Sequence, residues 1–123
     1  MSGVLGLDHV SIIVSDAQQA CKFYQQVLGL EVLKRPNLGF PGYWLGLGDN
    51  QTLHLMQLPN PYQGITRPAH GGRDRHFALR VSQLETFIAK LDRMQLGYTL
   101  SQSGRKALFF SDLDNNVIEL CEV

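Results

Sequence analysis

The chain has 123 residues, of which 44% are hydrophobic and 18% are charged, ordinary proportions for one compact globular domain. Eleven basic and eleven acidic side chains give a formal net charge of zero. This balance argues against nucleic acid or an anionic membrane as the main partner, because both normally require a basic surface. Two cysteines are too few for a disulfide framework, no apolar run reaches the roughly 20 residues of a membrane span, and the N-terminus lacks a signal-peptide pattern. A cytoplasmic protein with reduced thiols is therefore expected.

The first half of the chain predicts one strand, one helix and three further strands. Hydrophobicity alternates over residues 5–14, and a helical stripe over 16–28 follows Ser15, a capping residue, and ends at Gly29. Shorter runs bounded by Gly, Pro and Asn predict strands at 31–34, 43–47 and 52–57.

The second half repeats this order. A strand at 75–81 precedes a helix at 83–95, and strands follow at 98–101, 107–111 and 117–121. Each half is thus β-α-β-β-β, and the fold class is α+β. We expect a single domain over residues 1–123, with modules at approximately 5–57 and 74–122 and a Pro- and Gly-rich linker at 58–73 that can fold over a cavity.

Four chemistry-bearing residues occupy matching places in the two halves. His9 and His76 are related by a sequence offset of 67 and lie in similar strands, and His54 and Glu119 are related by an offset of 65 in two others. Strand alternation places each of the four opposite the aliphatic side chains of its strand. A single histidine in such a place is more simply a solvent-facing residue. Four such positions at two matching offsets instead predict one shared metal site built from an internal repeat.

Several segments resemble the vicinal oxygen chelate superfamily, which includes glyoxalase I, bleomycin-resistance proteins and extradiol dioxygenases. The matching pieces are Asp8-His9-Val10, the segment from Phe23 to Leu30 (FYQQVLGL) and the segment from Phe110 to Leu120 (FSDLDNNVIEL). The resemblance covers nearly the whole chain. It implies two βαβββ modules forming an open barrel-like cup around a divalent metal, with the paired modules contributed by one chain or by two subunits of a homodimer.

The resemblance also assigns ligand positions and reveals two departures. His9 and His76 match the two first-strand ligands, Glu119 matches the final carboxylate, and His54 stands where glyoxalase I usually has a glutamate. The trio without His54 resembles a facial triad suited to Fe or Mn, whereas four ligands suit Zn, Ni or Co. Ile13 stands where the glutathione enzymes of the superfamily carry an arginine.

The repeat-related position of Ile13 in the second half is Arg80, which is expected to face the pocket as a carboxylate clamp or to form a salt bridge at the sheet edge. His70, on the linker, and Arg105, at a turn, are interpreted as solvent-exposed residues.

These features favour a metal-dependent lyase or isomerase acting on a small oxygenated metabolite. The metal would stabilise an enediolate, and Glu119, His54 or a hydroxide on the metal would transfer the proton. The alternatives are a ring-cleaving dioxygenase using Fe(II) or Mn(II) and, from a different class, a non-catalytic drug-binding resistance protein. The expected partners are a small-molecule substrate and a second copy of the chain, without nucleic acid or membrane. The sequence leaves open the substrate, the metal, and whether His54 binds it.

Overall fold

A computed structural model of the chain describes residues 2–123. The chain divides into two compact units, the first ending at Asn60 and the second running from Pro61 to Val123. The first unit contains β1 (His9–Val14), α1 (Ala17–Leu28), β2 (Glu31–Leu33), β3 (Gly42–Gly48) and β4 (Gln51–Gln57). The second contains a 3₁₀ turn (Gly71–Arg73), β5 (His76–Val81), α2 (Leu84–Arg93), β6 (Thr99–Leu100), β7 (Ala107–Ser111) and β8 (Val117–Glu122).

Each unit has one four-stranded mixed sheet. The strand orders are β1-β4-β3-β2 and β5-β8-β7-β6. The first strand of each unit runs parallel to the last, and the remaining pairs are antiparallel. Neither sheet is closed. The α+β class and the β-α-β-β-β order predicted for each half are therefore confirmed.

Helix α1 packs on the first sheet through a stripe that includes Ala20, Tyr24 and Val27, all of them buried. Gly29 ends the helix in the left-handed conformation (φ 66°) that glycine adopts without a steric penalty. The helix begins one residue later than expected. Its N-cap is Asp16, whose carboxylate accepts the Gln19 N–H at 3.0 Å, and not Ser15.

Helix α2 is shorter than the predicted span of 83–95. It buries Leu84 and Leu91 against the second unit's core and ends at Arg93, before Gln95 adopts a positive φ of 57°. Buried side chains of the two inner strands complete this core: Leu108, Ile118 and Leu120.

Gly71 permits a close approach of the 3₁₀ turn to the second sheet. A Cβ atom at this position would lie 2.7 Å from Cβ of Phe109 and 2.9 Å from Cγ1 of Val117. Any larger residue would displace the turn from strands β7 and β8. The end of the predicted linker is thus fixed against the sheet.

In both units a side-chain hydrogen bond connects the last strand to the start of the helix. Gln57, at the end of β4, accepts the Ala17 N–H at 2.9 Å, and Glu122, at the end of β8, accepts the Leu84 N–H at 3.0 Å. The two acceptors are related by the same sequence offset as His54 and Glu119. Each bond satisfies a helix N–H that has no partner within the helix.

No helix within residues 2–123 is both long enough and apolar enough to cross a membrane.

These caps should contribute measurably to stability. Gln57→Ala should lower the free energy of unfolding by about 1 kcal/mol, because it leaves a part-buried helix N–H without its acceptor. The exposed Gln18→Ala is the matched control and should change it little. Urea unfolding followed by circular dichroism measures both, and equal stability of the two variants would contradict the capping role.

Glu122 adds a pH dependence that Gln57 lacks. The Leu84 N–H and then Lys106 hold the pKa of Glu122 below its ordinary value, despite an opposing effect of burial. A lowered folded-state pKa means that this stabilisation is present above the ordinary value of 4.5 and is lost as the pH falls through the lowered one. Glu122→Gln should therefore flatten the acid limb of the stability curve while preserving the cap.

Candidate metal centre

The parallel pairing of first and last strands places the predicted residues side by side within each unit. His54 on β4 lies opposite Ser11, two residues after His9 on β1. Glu119 on β8 lies opposite Ala78, two residues after His76 on β5. The register is the same in both sheets. The internal repeat inferred from sequence is therefore present at the level of individual strand partners.

The first pair forms an aromatic stack. The rings of His9 and His54 lie 4.2 Å apart and 12° from parallel, and Trp44 on β3 covers the other face of His54 at 4.4 Å. Nδ1 of His9 is 2.9 Å from the Asp8 carboxylate, and Nε2 of His54 is 2.9 Å from the Thr52 hydroxyl. His9 therefore keeps Nε2 as a possible ligand atom, while His54 already uses one nitrogen.

The surroundings of His54 favour its neutral form. Burial lowers its pKa, and positive charge on His9 lowers it further, partly offset by Asp8 and reinforced by Arg35. A neutral imidazole is the form that binds metals or accepts a proton. His54 is thus suited to either of its predicted roles, although Thr52 competes for Nε2.

The second pair, His76 and Glu119, brings two acceptor atoms together. Nδ1 of His76 lies 2.8 Å from the Asp74 carbonyl oxygen, which can only accept, so this nitrogen carries the proton. In the neutral ring Nε2 is then a lone-pair acceptor, yet it faces Oε1 of Glu119 at 3.2 Å. Two acceptors at this distance require a positive centre between or beside them, either a second proton on the ring or a cation.

Glu119 is held from its other side by a thiol. Cys121 donates its S–H to Oε2 of Glu119 at 3.0 Å, and both side chains are buried. Burial raises the pKa of Cys121, the hydrogen bond and charge of Glu119 raise it further, and Arg105 weakly opposes both. Cys121 is therefore a hydrogen-bond donor at neutral pH and not a thiolate.

His76 owes its orientation to the segment before β5. The Asp74 carboxylate accepts one bifurcated hydrogen bond from the Nε–H of Arg67, at 2.9 and 2.8 Å from its two oxygens, and another from the Arg75 N–H. This fixed residue presents the carbonyl that holds Nδ1 of His76. Metal-binding histidines usually have such an outer partner on the second nitrogen, and His9 has one in Asp8.

The donor chemistry fits a divalent metal. Two ligand atoms each about 2.1 Å from one ion lie roughly 3.0–3.4 Å apart, which includes the separation of the His76 and Glu119 atoms. Within residues 2–123, no group of three or more His, Cys, Asp or Glu side chains is arranged to hold an ion. The structure thus brings the predicted residues together as two pairs, one in each unit.

A cavity of about 370 Å³ adjoins the second pair. Its walls come from the 3₁₀ turn, the loop between β6 and β7, and the sheet face that carries His76, Phe109 and Glu119. A larger cavity of about 580 Å³ in the same unit has Arg67 and Asp74 on its wall, but these bind each other. The smaller cavity is the one next to reactive groups.

Arg80 lies on the same face of β5 as His76 and is exposed, with Cys121 as its strand partner. It is not among the described residues that line the smaller cavity. Its role as a carboxylate clamp stays a prediction.

Sequence reasoning did not assign roles to several residues around the pairs. Trp44 and Phe109 cover His54 and His76, respectively, and are themselves related by an offset of 65, so the repeat could have linked them. Arg73 and Arg105 line the cavity, and both are exposed, as was interpreted for Arg105. His70 also lines it, with both ring nitrogens bonded to backbone atoms.

Comparison with known proteins gives the family. The model of the Glyoxalase/Bleomycin resistance protein/Dioxygenase superfamily matches residues 6–120. Glyoxylase I 4 of Arabidopsis thaliana is 31% identical over 94% of this chain and 69% of its own length, and metallothiol transferase FosB of Staphylococcus epidermidis is 23% identical over 95% and 83%. A glyoxalase family protein from Bacillus anthracis has a TM-score of 0.80 at 23% identity, over 99% of this chain and 98% of its own. The chain belongs to this superfamily and has the glyoxalase fold.

The ring stack makes a prediction about His54. Its imidazole should titrate below the ordinary value of 6.5, as followed by NMR of the ring nitrogens. His9→Gln should raise the pKa of His54 by removing a positive neighbour, and Asp8→Asn should lower it by removing a negative one. Shifts of the same sign in both variants would show that the neighbouring charges do not act as described.

Proposed function

We propose that the chain is a metal-dependent lyase or isomerase that acts on a small oxygenated metabolite. The observation that carries this proposal is the distance of 3.2 Å between Nε2 of His76 and Oε1 of Glu119. With the proton of His76 on Nδ1, both atoms are acceptors, and a bound cation would satisfy both. Relatives bearing the enzyme names glyoxylase I and metallothiol transferase support catalysis. His9, His76 and Glu119 are the proposed ligands, with His54 as a further ligand or a proton acceptor.

We propose a separate role for each residue of the site. Asp8 and the Asp74 carbonyl orient the two first-strand histidines, and Cys121 holds Oε2 of Glu119 in place. When bound, the metal (Zn, Ni, Co, Mn or Fe) supplies Lewis-acid stabilisation of an oxyanion on the substrate. Glu119 is the proposed general base, because its carboxylate borders the cavity beside the proposed metal position. His54, whose pKa is lowered chiefly by burial, is the alternative proton acceptor.

Metal content tests the ligand set. His76→Ala and Glu119→Ala should each lose the single ion expected per chain, measured by plasma mass spectrometry on protein purified without an affinity tag. His70→Gln is the matched control and should keep the ion, because both ring nitrogens of His70 already serve backbone groups. Unchanged metal content in both ligand variants, with the fold intact by circular dichroism, would refute the proposal.

A second candidate function is a ring-cleaving dioxygenase with Fe(II) or Mn(II). The hydrogen bond between Thr52 and Nε2 of His54 favours it, because it leaves His9, His76 and Glu119 as a trio with open metal positions. The same metal analysis on His54→Ala separates the two ligand sets. Retention of the ion would support the trio, and its loss would support four ligands. The non-catalytic drug-binding alternative predicts no bound metal in any variant.

The protein should not be an efficient glutathione-dependent glyoxalase I, although one relative carries that name. Ile13 stands at the position that the resemblance assigns to a glutathione-holding arginine, and His54 replaces a glutamate. Loss of one charge-assisted hydrogen bond costs roughly 1.5–3 kcal/mol, about ten- to a hundredfold in binding. Protein loaded with Ni(II), Co(II) or Zn(II) should stay below about 10⁴ M⁻¹s⁻¹ in kcat/KM on the methylglyoxal–glutathione hemithioacetal. A higher value with any of these metals would contradict this.

We also propose that the chain forms a homodimer. Several large apolar residues near the N-terminus are exposed, with Leu5 fully accessible and Val4 and Leu7 at 76% and 73%. A free apolar segment of this kind usually marks an association surface. Light scattering at micromolar concentration should give twice the chain mass, and Leu5→Ser with Leu7→Ser should shift it toward the monomer. A wild-type monomer would refute the dimer.

A further inference from the structure

The cavity beside His76 and Glu119 has a positively charged wall. Arg73, at the end of the 3₁₀ turn, and Arg105, in the loop after β6, both line it. Among the described residues, neither guanidinium has a carboxylate partner. In contrast, Arg67 in the same unit binds Asp74, and Arg75 lies 4.3 Å from the Tyr62 ring.

The one acidic group on the wall is already engaged. Glu119 contacts His76 through one oxygen and accepts the Cys121 thiol through the other. Two guanidiniums against one occupied carboxylate leave an excess of positive charge in a space of about 370 Å³.

His70 links the two segments that carry these arginines. Its Nδ1 accepts the Gly72 N–H at 3.0 Å, and its Nε2 donates to the Leu100 carbonyl at 3.1 Å. The loop beyond Leu100 is further ordered by a 2.8 Å bond between the hydroxyls of Ser101 and Ser103. The cavity wall is thus held in place before any ligand arrives, which reduces the entropic cost of binding.

We propose that this cavity binds an oxyanionic group of the substrate, a carboxylate or a phosphate, through Arg73 and Arg105. Guanidinium groups match both anions with paired N–H donors, and Ser101 and Ser103 line the same cavity. The rest of the substrate would then lie against His76 and Glu119. This assignment rests on the proposed function, and it moves the anion-holding role from Arg80 to residues outside the strands.

NMR titration of ¹⁵N-labelled protein tests the assignment, with lactate, inorganic phosphate and uncharged lactamide as probes. At least one anion should bind tenfold or more tightly than lactamide and shift the amides of residues 101–105. The anion that binds more tightly identifies the group. Arg73→Gln and Arg105→Gln should each weaken anion binding about ten- to a hundredfold, whereas the exposed Arg93→Gln on α2 should not.

Two results would overturn the proposal. One is anion binding no tighter than that of lactamide. The other is an anion preference that is unchanged in both Arg73→Gln and Arg105→Gln. If Arg80→Gln then removes the preference, Arg80 is the anion-binding residue and the proposal is equally wrong. Titrating metal-free protein separates this proposal from the metal site, because the preference should persist without the ion. Metal content should also be unchanged in the Arg73 and Arg105 variants, so failure of the ligand set and failure of the anion site give different results.

Discussion

The parallel ladder between the first and last strands of each unit is the constraint on which the candidate site depends. Neighbouring strands lie about 4.8 Å apart, so side chains on one face of adjacent strands are in contact range. A shift of either ladder by one residue would turn His54 or Glu119 toward the aliphatic side of its sheet. The side-chain caps from Gln57 and Glu122 oppose such a shift, because each ties the end of the last strand to the start of the helix that follows the first.

Burial of Glu119 within the second sheet imposes the next constraint. A carboxylate that is only 8% exposed needs partners for both oxygens, since an unsatisfied buried charge is costly. The Cys121 thiol is the partner of Oε2. Nε2 of His76 faces Oε1 but has no proton to donate while the proton of the neutral ring is on Nδ1, so Oε1 needs a cation or a second proton on the ring. The same geometry that creates the electrostatic cost therefore creates affinity for a positive ion.

Strand periodicity explains why much of the fold and site could be predicted. Alternation placed His9 opposite Val10, and the structure has that arrangement, because a period of two leaves few alternatives when one face is buried. The start of α1 was wrong by one residue, since Ser15 and Asp16 can both cap a helix and only tertiary packing selects one. Arg73 and Arg105 could not be found, because loop residues follow no period that reveals which way they face.

The repeat has kept its geometry in both halves while the chemistry has diverged. In the first unit an imidazole of lowered pKa is enclosed between two aromatic rings, and in the second a buried carboxylate occupies the equivalent strand position. Thr52, which bonds His54, is replaced at the offset of 65 by Val117, so the hydroxyl partner is absent from the second unit. Cys121 is the group that holds the carboxylate there.

A neutral ring can bind a metal without adding charge, whereas a carboxylate also neutralises part of the metal's charge and can accept a proton. The asymmetry therefore supports our proposal that proton transfer belongs first to the second unit, next to the cavity where two arginines lack carboxylate partners among the residues that the structure describes.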